Sequence, residues 1–162
     1  QKADLKTEAE PEEKRMILTR ETDYALRIIR AVSDGSQKSV VHIAEEHLIP
    51  QQFAYKIVRK LHRAGILSVT RGAEGGCRLQ ADLQELSLYE LMEAMDEVTL
   101  LSACMQQGYE CSWREQNRQI CQIHQRLSVI QRNLDNELKS HSLYDLIFGP
   151  STQEGQTNNR KS

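Results

Sequence analysis

The sequence predicts a mainly α fold, a winged helix-turn-helix with a small β-hairpin wing and a long C-terminal dimerisation helix. Three observations predict it. Apolar residues recur at helical spacing along most of the chain while aromatics make up only 5%, a balance that favours helices over sheet. A short helical segment and a basic one meet at Pro50 and are followed at once by a glycine-rich hairpin pattern. A final apolar repeat runs at spacings of three and four from Ile120 to Leu138.

The first element is expected over Leu18 to Val32, where Leu18, Ala25, Leu26, Ile28, Ile29 and Val32 fall on one face and Asp34-Gly35 supplies a stop. A short helix over Val40 to His47 follows, opened by Ser39 and closed before Pro50. The next, Gln51 to Ala64, places Phe53, Ile57, Val58 and Leu61 on one side and Lys56, Arg59, Lys60 and Arg63 on the other, with Gly65 after its end. Two helices across a tight turn, the second basic on its outer face, are a helix-turn-helix. Ile66 to Thr70 then alternates like a strand, Arg71 to Gly76 is a glycine-rich turn, and Cys77 to Leu79 resumes the extended pattern of a wing. Ser87 and Glu90 form a capping-box pair opening a helix to about Val98, and a cysteine-bearing loop comes next. The repeat from Ile120 through Ile123, Leu127, Ile130 and Leu134 makes a long helix that needs a partner helix, and Ser142 caps a short final one.

At 162 residues the chain has the size of one domain with an appendage. We expect a disordered extension over 1–15, a winged-helix DNA-binding region over 16–99, a cluster loop over 100–122, a dimerisation helix with its short terminal helix over 120–148, and a disordered tail over 149–162. The two ends are polar and short of large apolar residues, too little to offset the entropy of ordering. Met16 is a candidate native start. No stretch approaches the roughly 20 apolar residues that span a bilayer, and no secretory layout is present. The expectation is therefore a cytoplasmic protein without a membrane partner, in which four cysteines do not make a disulfide framework.

The net charge of −2 gives no global attraction to nucleic acid, but charge is segregated. From Gln51 to Arg78 six Lys or Arg face a single acid, Glu74, whereas Asp82 to Glu97 carries acids and no base. A helix fits the major groove with its N-terminal residues at base edges and later basic residues on phosphates. On that geometry Gln51, Gln52, Tyr55 and Lys56 would read bases in a double-stranded operator, and Arg59, Lys60, Arg63 and Arg71 would hold the backbone. The plainer alternative is a solvated basic helix in an ordinary bundle.

Three cysteines and a histidine read C-x6-C-x9-C-x2-H, from Cys104 through Cys111 and Cys121 to His124. Thiolates are soft ligands for zinc and iron-sulfur clusters. A structural zinc site favours a short C-x2-C pair, absent here, and spread ligands on a loop suit a larger cluster. Three free thiols are the bland alternative, and His124 could equally sit at the seam of the long helix. Cys77 reads as a small packed residue, Trp113 as a packing residue, and Asp23, taken alone, as a solvated helix acid. No phosphate loop, nucleophile elbow or zinc-protease helix occurs, so neither an enzyme nor a small-molecule substrate is expected.

The runs LTRETDYALRII (Leu18 to Ile29), LHRAGILSVTRGAEGGCRL (Leu61 to Leu79) and SLYDLI (Ser142 to Ile147), with three cysteines between the last two, resemble the Rrf-two family of winged-helix regulators over about Met16 to Phe148. The resemblance implies a homodimer with a long crossing helix and a 2Fe-2S or 4Fe-4S cluster on Cys104, Cys111 and Cys121. For the fourth ligand, Cys121-x2-His124 resembles the pair in the family's cluster-assembly regulators. Thr22-Asp23-Tyr24 resembles the segment that supplies an aspartate from the opposite subunit in its nitric-oxide sensors, and Asp23 is the preferred candidate. The implied function is a transcriptional repressor whose operator affinity follows a cluster sensing nitric oxide, redox state or iron-sulfur status. The alternative is a cluster-free regulator of the same family, responsive to thiol chemistry or a metabolite.

Overall fold

The computed structural model describes residues 16–97 and 99–150. The expected extension over 1–15, the tail from residue 151 onward, and Val98 lie outside the described residues.

Helix α1 (Arg20–Ala31) starts where Thr19 Oγ1 accepts the Glu21 amide at 3.2 Å, with Glu21 and Asp23 in its first turn and Arg30 in its last, the order the helix dipole favours. Ser39 caps α2 (Val40–Glu46) in the same way through the His42 amide. Leu48 takes a left-handed φ of 53° to turn the chain into α3 (Gln51–Arg63). Gly65, at φ +76°, ends α3, and the Ile66 amide returns to the Leu61 carbonyl at 2.9 Å. Strands β1 (Leu67–Thr70) and β2 (Gly76–Leu79) pair antiparallel from Leu67 opposite Leu79 to Thr70 opposite Gly76.

The wing is fastened to the start of α2. The Lys38 amide donates to the Cys77 carbonyl at 3.0 Å and the Cys77 amide to the Lys38 carbonyl at 2.9 Å. Gly76 permits this approach, because a Cβ there would lie 2.2 Å from the Lys38 carbonyl oxygen.

Helix α4 (Leu88–Ala94) has the full capping box between Ser87 and Glu90, but it stops short of Val98. Asp96 adopts φ 61°, which breaks the helical path, and the Glu97 amide folds back to the Met92 carbonyl. The cysteine stretch is also more structured than a loop. It holds a single 3-10 turn, Ala103–Met105, and a short helix α5 (Ser112–Asn117) ended by Arg118 at φ 46°. Helix α6 (Gln122–Ser140) follows, leaving Ile120 outside it, and α7 (Leu143–Phe148) is capped by Ser142.

Ile28 and Ile29 of α1, Ile43 of α2, Ile57 and Leu61 of α3, Leu67 of β1, Leu91 of α4 and Leu143 of α7 are fully buried in one core. Each such side chain contributes about 1.5–3 kcal/mol by leaving water. On α3 the inward position belongs to Ala54 rather than the expected Phe53, which is 38% exposed and lies beside Tyr24 with ring centroids 6.5 Å apart. Helix α6 stands apart from this core: among its residues Gln131 alone is buried, while Ile123 and Ile130 are exposed.

Candidate DNA-binding face and cysteine cleft

Helix α3, the wing and the start of α2 enclose a groove of about 730 Å³ whose lining includes Tyr55, Arg59, His62, Thr70 and Arg71. The core side of α3 (Ala54, Ile57, Val58, Leu61) fixes its rotation, so Tyr55, Arg59 and His62 turn outward by helical period. Gln51, Gln52, Lys56 and Arg63 are exposed on the same helix but do not line the groove. His62 escaped the sequence reading; its Nδ1 lies 3.0 Å from the Leu67 carbonyl and ties the helix to β1. Its place three residues after Arg59 was the available signal. Gln37 also braces the wing, donating from Nε2 to the Glu74 carbonyl at 2.7 Å.

The basic residues of α3 are not equivalent. Arg59 and Arg63 are exposed, and Lys56 reaches Glu21 on α1 while remaining half exposed. Lys60, expected on the phosphate side, is turned inward: its side chain is 13% exposed and its ammonium sits 3.3 Å from Glu21 and 3.1 Å from Asp96. It also donates to the Met95 carbonyl at 2.8 Å. Burial works against the lysine's charge, but the bonds to Asp96 and Glu21 outweigh it and hold its pKa above the usual value. Hydrogen bonds from Lys56 and Lys60 correspondingly hold the Glu21 carboxyl below its ordinary range.

A second cleft, of about 660 Å³, lies at the head of α6, lined by Tyr109, Cys111, Arg114, Arg118, Cys121 and His124 among others. Cys111 is the residue before α5 and Cys121 the residue before α6, so the left-handed turn at Arg118 brings two positions ten apart in sequence to one opening. The Cys121 sulfur accepts the His124 amide at 3.5 Å. His124 Nδ1 is buried and has no hydrogen-bond partner.

Cys104 lies outside this lining, in the 3-10 turn, with its sulfur 3.3 Å from the Ser102 hydroxyl. That turn packs on α6 one helical turn beyond His124, where Ser128 donates to the Met105 sulfur. All four cysteines are free. Among the described residues, no three His, Cys, Asp or Glu side chains are grouped closely enough to hold one metal ion. Asp23 pairs with Arg27 at 2.7 Å and is absent from the cleft of its own chain. Cys77 is fully enclosed in the wing, and burial pushes its thiol pKa up. Trp113 is half exposed.

A helix-turn-helix with an exposed basic helix and a hairpin set beside it is the winged-helix architecture of DNA-binding regulators. The chain belongs to the Rrf2 (Rrf-two) family, described as iron-dependent transcriptional regulators, whose profile matches residues 18–149. It is 28% identical over 95 residues to protein aau3 of Rhizobium meliloti, a match covering 57% of this chain and 62% of that protein's length. Its fold is similar to CymR, the global cysteine regulator of B. subtilis, with a TM-score of 0.59 at 18% identity over 85% of this chain and all of that one. It is similar too to T. potens IscR, with a TM-score of 0.52 at 15% identity over 80% of this chain and 84% of the other. No helix among the described residues is long and apolar enough to cross a membrane.

Proposed function

We propose that the chain is a homodimeric, cytoplasmic repressor whose affinity for a double-stranded operator is set by an iron-sulfur cluster, 2Fe-2S or 4Fe-4S, held by Cys104, Cys111 and Cys121. The observation that carries this reading is the cleft at the head of α6, where two free thiols meet a histidine with an orphaned buried nitrogen. An unpartnered buried polar atom costs about 1–3 kcal/mol, which a ligand or second-subunit contact there would remove. The donor chemistry fits a cluster: soft thiolates with one nitrogen or carboxylate.

The cluster, when bound, supplies a centre reactive toward nitric oxide, oxygen or a change of redox state. The protein's part is to hold and transmit. Cys111 and Cys121 anchor from two helix starts and Cys104 joins them from the turn packed on α6. Asp23 of the partner subunit, or His124, completes the set. Helix α6 offers Ile123, Leu127, Ile130 and Leu134 at spacings of three and four to a second copy, the seam of an antiparallel or crossing helix pair. On the operator, Gln51, Gln52, Tyr55 and Lys56 meet base edges while Arg59, Arg63 and Arg71 meet phosphates.

The test is an anaerobic absorbance spectrum with iron and sulfide assays on wild type and Cys111→Ser after cluster reconstitution. Thiolate-to-iron absorbance with matched iron and sulfide, lost in the variant, supports the reading, and the iron count assigns the cluster type. Two colourless proteins would overturn it. A second reading would then stand, a cluster-free regulator answering to thiol state or a metabolite. Its support is the likeness to a cysteine regulator and the separation of Cys104 from the cleft.

A further inference from the structure

Lys60 belongs to α3, the helix read here as DNA-binding, yet its ammonium is turned toward α1 and the residues that follow α4. Its partners are Glu21 of α1 and two residues just past the end of α4, the Met95 carbonyl and the Asp96 carboxylate. Those residues do not end a connection; they begin one. Glu97 accepts a hydrogen bond from the Thr19 hydroxyl, the cap of α1. Immediately beyond, Gln131 of α6 donates to the Thr99 carbonyl at 2.6 Å and accepts the Leu101 amide at 2.9 Å. Gln131 is the buried residue of α6, and Asp135 orients its amide at 2.8 Å. The short stretch between α4 and the cysteine-bearing segment is therefore gripped by the recognition helix at one end and by α6 at the other.

We propose that Lys60 is a positioning residue rather than a phosphate contact, coupling the placement of the recognition helix to the chain that leads into Cys104. The inference builds on the DNA-binding reading of α3, but it does not need a cluster. Three acceptors around one ammonium in a largely enclosed site make a directional clamp, since each fixes a different N–H vector. A lysine so engaged has no N–H to offer a phosphate. Where two sites bias one such linkage, the effect is reciprocal: whatever shifts the cysteine segment shifts α3, and DNA on α3 must be felt at the cysteine segment.

The test uses full-length protein and a duplex enriched by the wild type from a random-sequence library. First, affinity is measured against salt for wild type, Lys60→Met and Arg59→Met. A lost phosphate contact flattens the slope of log K against log salt by about 0.9. Arg59→Met should show that flattening, whereas Lys60→Met should keep the wild-type slope and weaken binding about tenfold at every salt concentration, within the usual range of coupling effects. Second, hydrogen exchange is followed at Asp96, Glu97, Thr99 and Leu101 with and without saturating DNA. Wild type should gain protection there on binding DNA, and Lys60→Met should not.

Asp96→Asn, at an exposed side chain, guards against a folding defect in Lys60→Met. It should reduce the DNA-induced protection while keeping the salt slope. A flattened slope in Lys60→Met, or equal protection in wild type and Lys60→Met, would overturn the proposal. A colourless protein would sink the cluster reading and leave this result untouched.

Discussion

Adding one methyl group at Gly76 should move the wing. The Cβ of Gly76→Ala would sit 2.2 Å from the Lys38 carbonyl oxygen, 2.7 Å from its carbon and 3.1 Å from the Ser39 nitrogen. All three are backbone atoms, so no side chain can swing aside. The strand must retreat by roughly 1 Å or more to reach ordinary contact distance. That retreat stretches both Lys38–Cys77 hydrogen bonds, each of which contributes about 0.5–1.5 kcal/mol net. The expected destabilisation is thus about 1–3 kcal/mol, or a fall in the melting midpoint of about 2–12 °C for a domain of this size. Urea denaturation and a thermal melt would measure it. DNA binding, assayed well below both midpoints, should weaken as well. Arg71 travels with the wing tip, so the salt slope should flatten by about one phosphate's worth. A Gly76→Ala protein with unchanged stability and an unchanged salt slope would refute the claim that close backbone approach at Lys38 sets the wing's position.

Other expectations are equally direct. Ile57→Ala empties a fully buried site in α3 and should cost about 2–5 kcal/mol, read as a lower urea midpoint. Ile130→Glu places a charge in the exposed apolar stripe of α6; sedimentation should show a dimer becoming a monomer, with DNA affinity falling in parallel. Gln131→Leu strips the Thr99 carbonyl and Leu101 amide of their partner and should cost about 1–3 kcal/mol, with faster hydrogen exchange confined to that stretch. The Ser87 amide and hydroxyl hold the Glu90 carboxyl below the usual glutamate value of 4.5. Its stabilising effect is therefore full above that value and is lost as pH falls through the lower folded pKa. The stability gap between wild type and Glu90→Gln should be wide at neutral pH and close on acidification below 4.5.

The local chemistry of the chain carried its helices openly. Ser39, Ser87 and Ser142 sit at helix starts because a short side-chain oxygen can reach an unpaired amide, a rule that needs no tertiary information; Thr19 does the same at α1, although the apolar pattern opens that helix one residue before it, at Leu18. The same holds for the wing, where Gly65 and the run Arg71 to Gly76 leave few conformations open. What was hidden is whatever depends on distant partners. Lys60 and Arg59 are neighbours in a basic stretch, and only the packing of α1 and α4 against α3 separates their roles. Ala54 rather than Phe53 takes the inward place on α3, in step with Ile57, Val58 and Leu61 at spacings of three and four, while the larger Phe53 turns toward Tyr24. The turn just after α4 and the end of the small helix α5 likewise hang on single left-handed residues, Asp96 and Arg118. The cysteine spacing drew attention to Cys104, Cys111, Cys121 and His124, but sharing of a cleft by the last three depends on the turn at Arg118.

Where α1, α2, α4 and α7 begin with a hydroxyl, α6 begins with a thiol: the sulfur of Cys121 takes the His124 amide. Sulfur is a poor acceptor as a thiol and a good one as a thiolate, and it can be claimed by a metal or an oxidant. The opening turn of a 19-residue helix is therefore tied to the chemical state of one atom. Fraying or consolidation of that turn changes ellipticity at 222 nm, so far-ultraviolet circular dichroism would record what has happened at Cys121 even when no colour does.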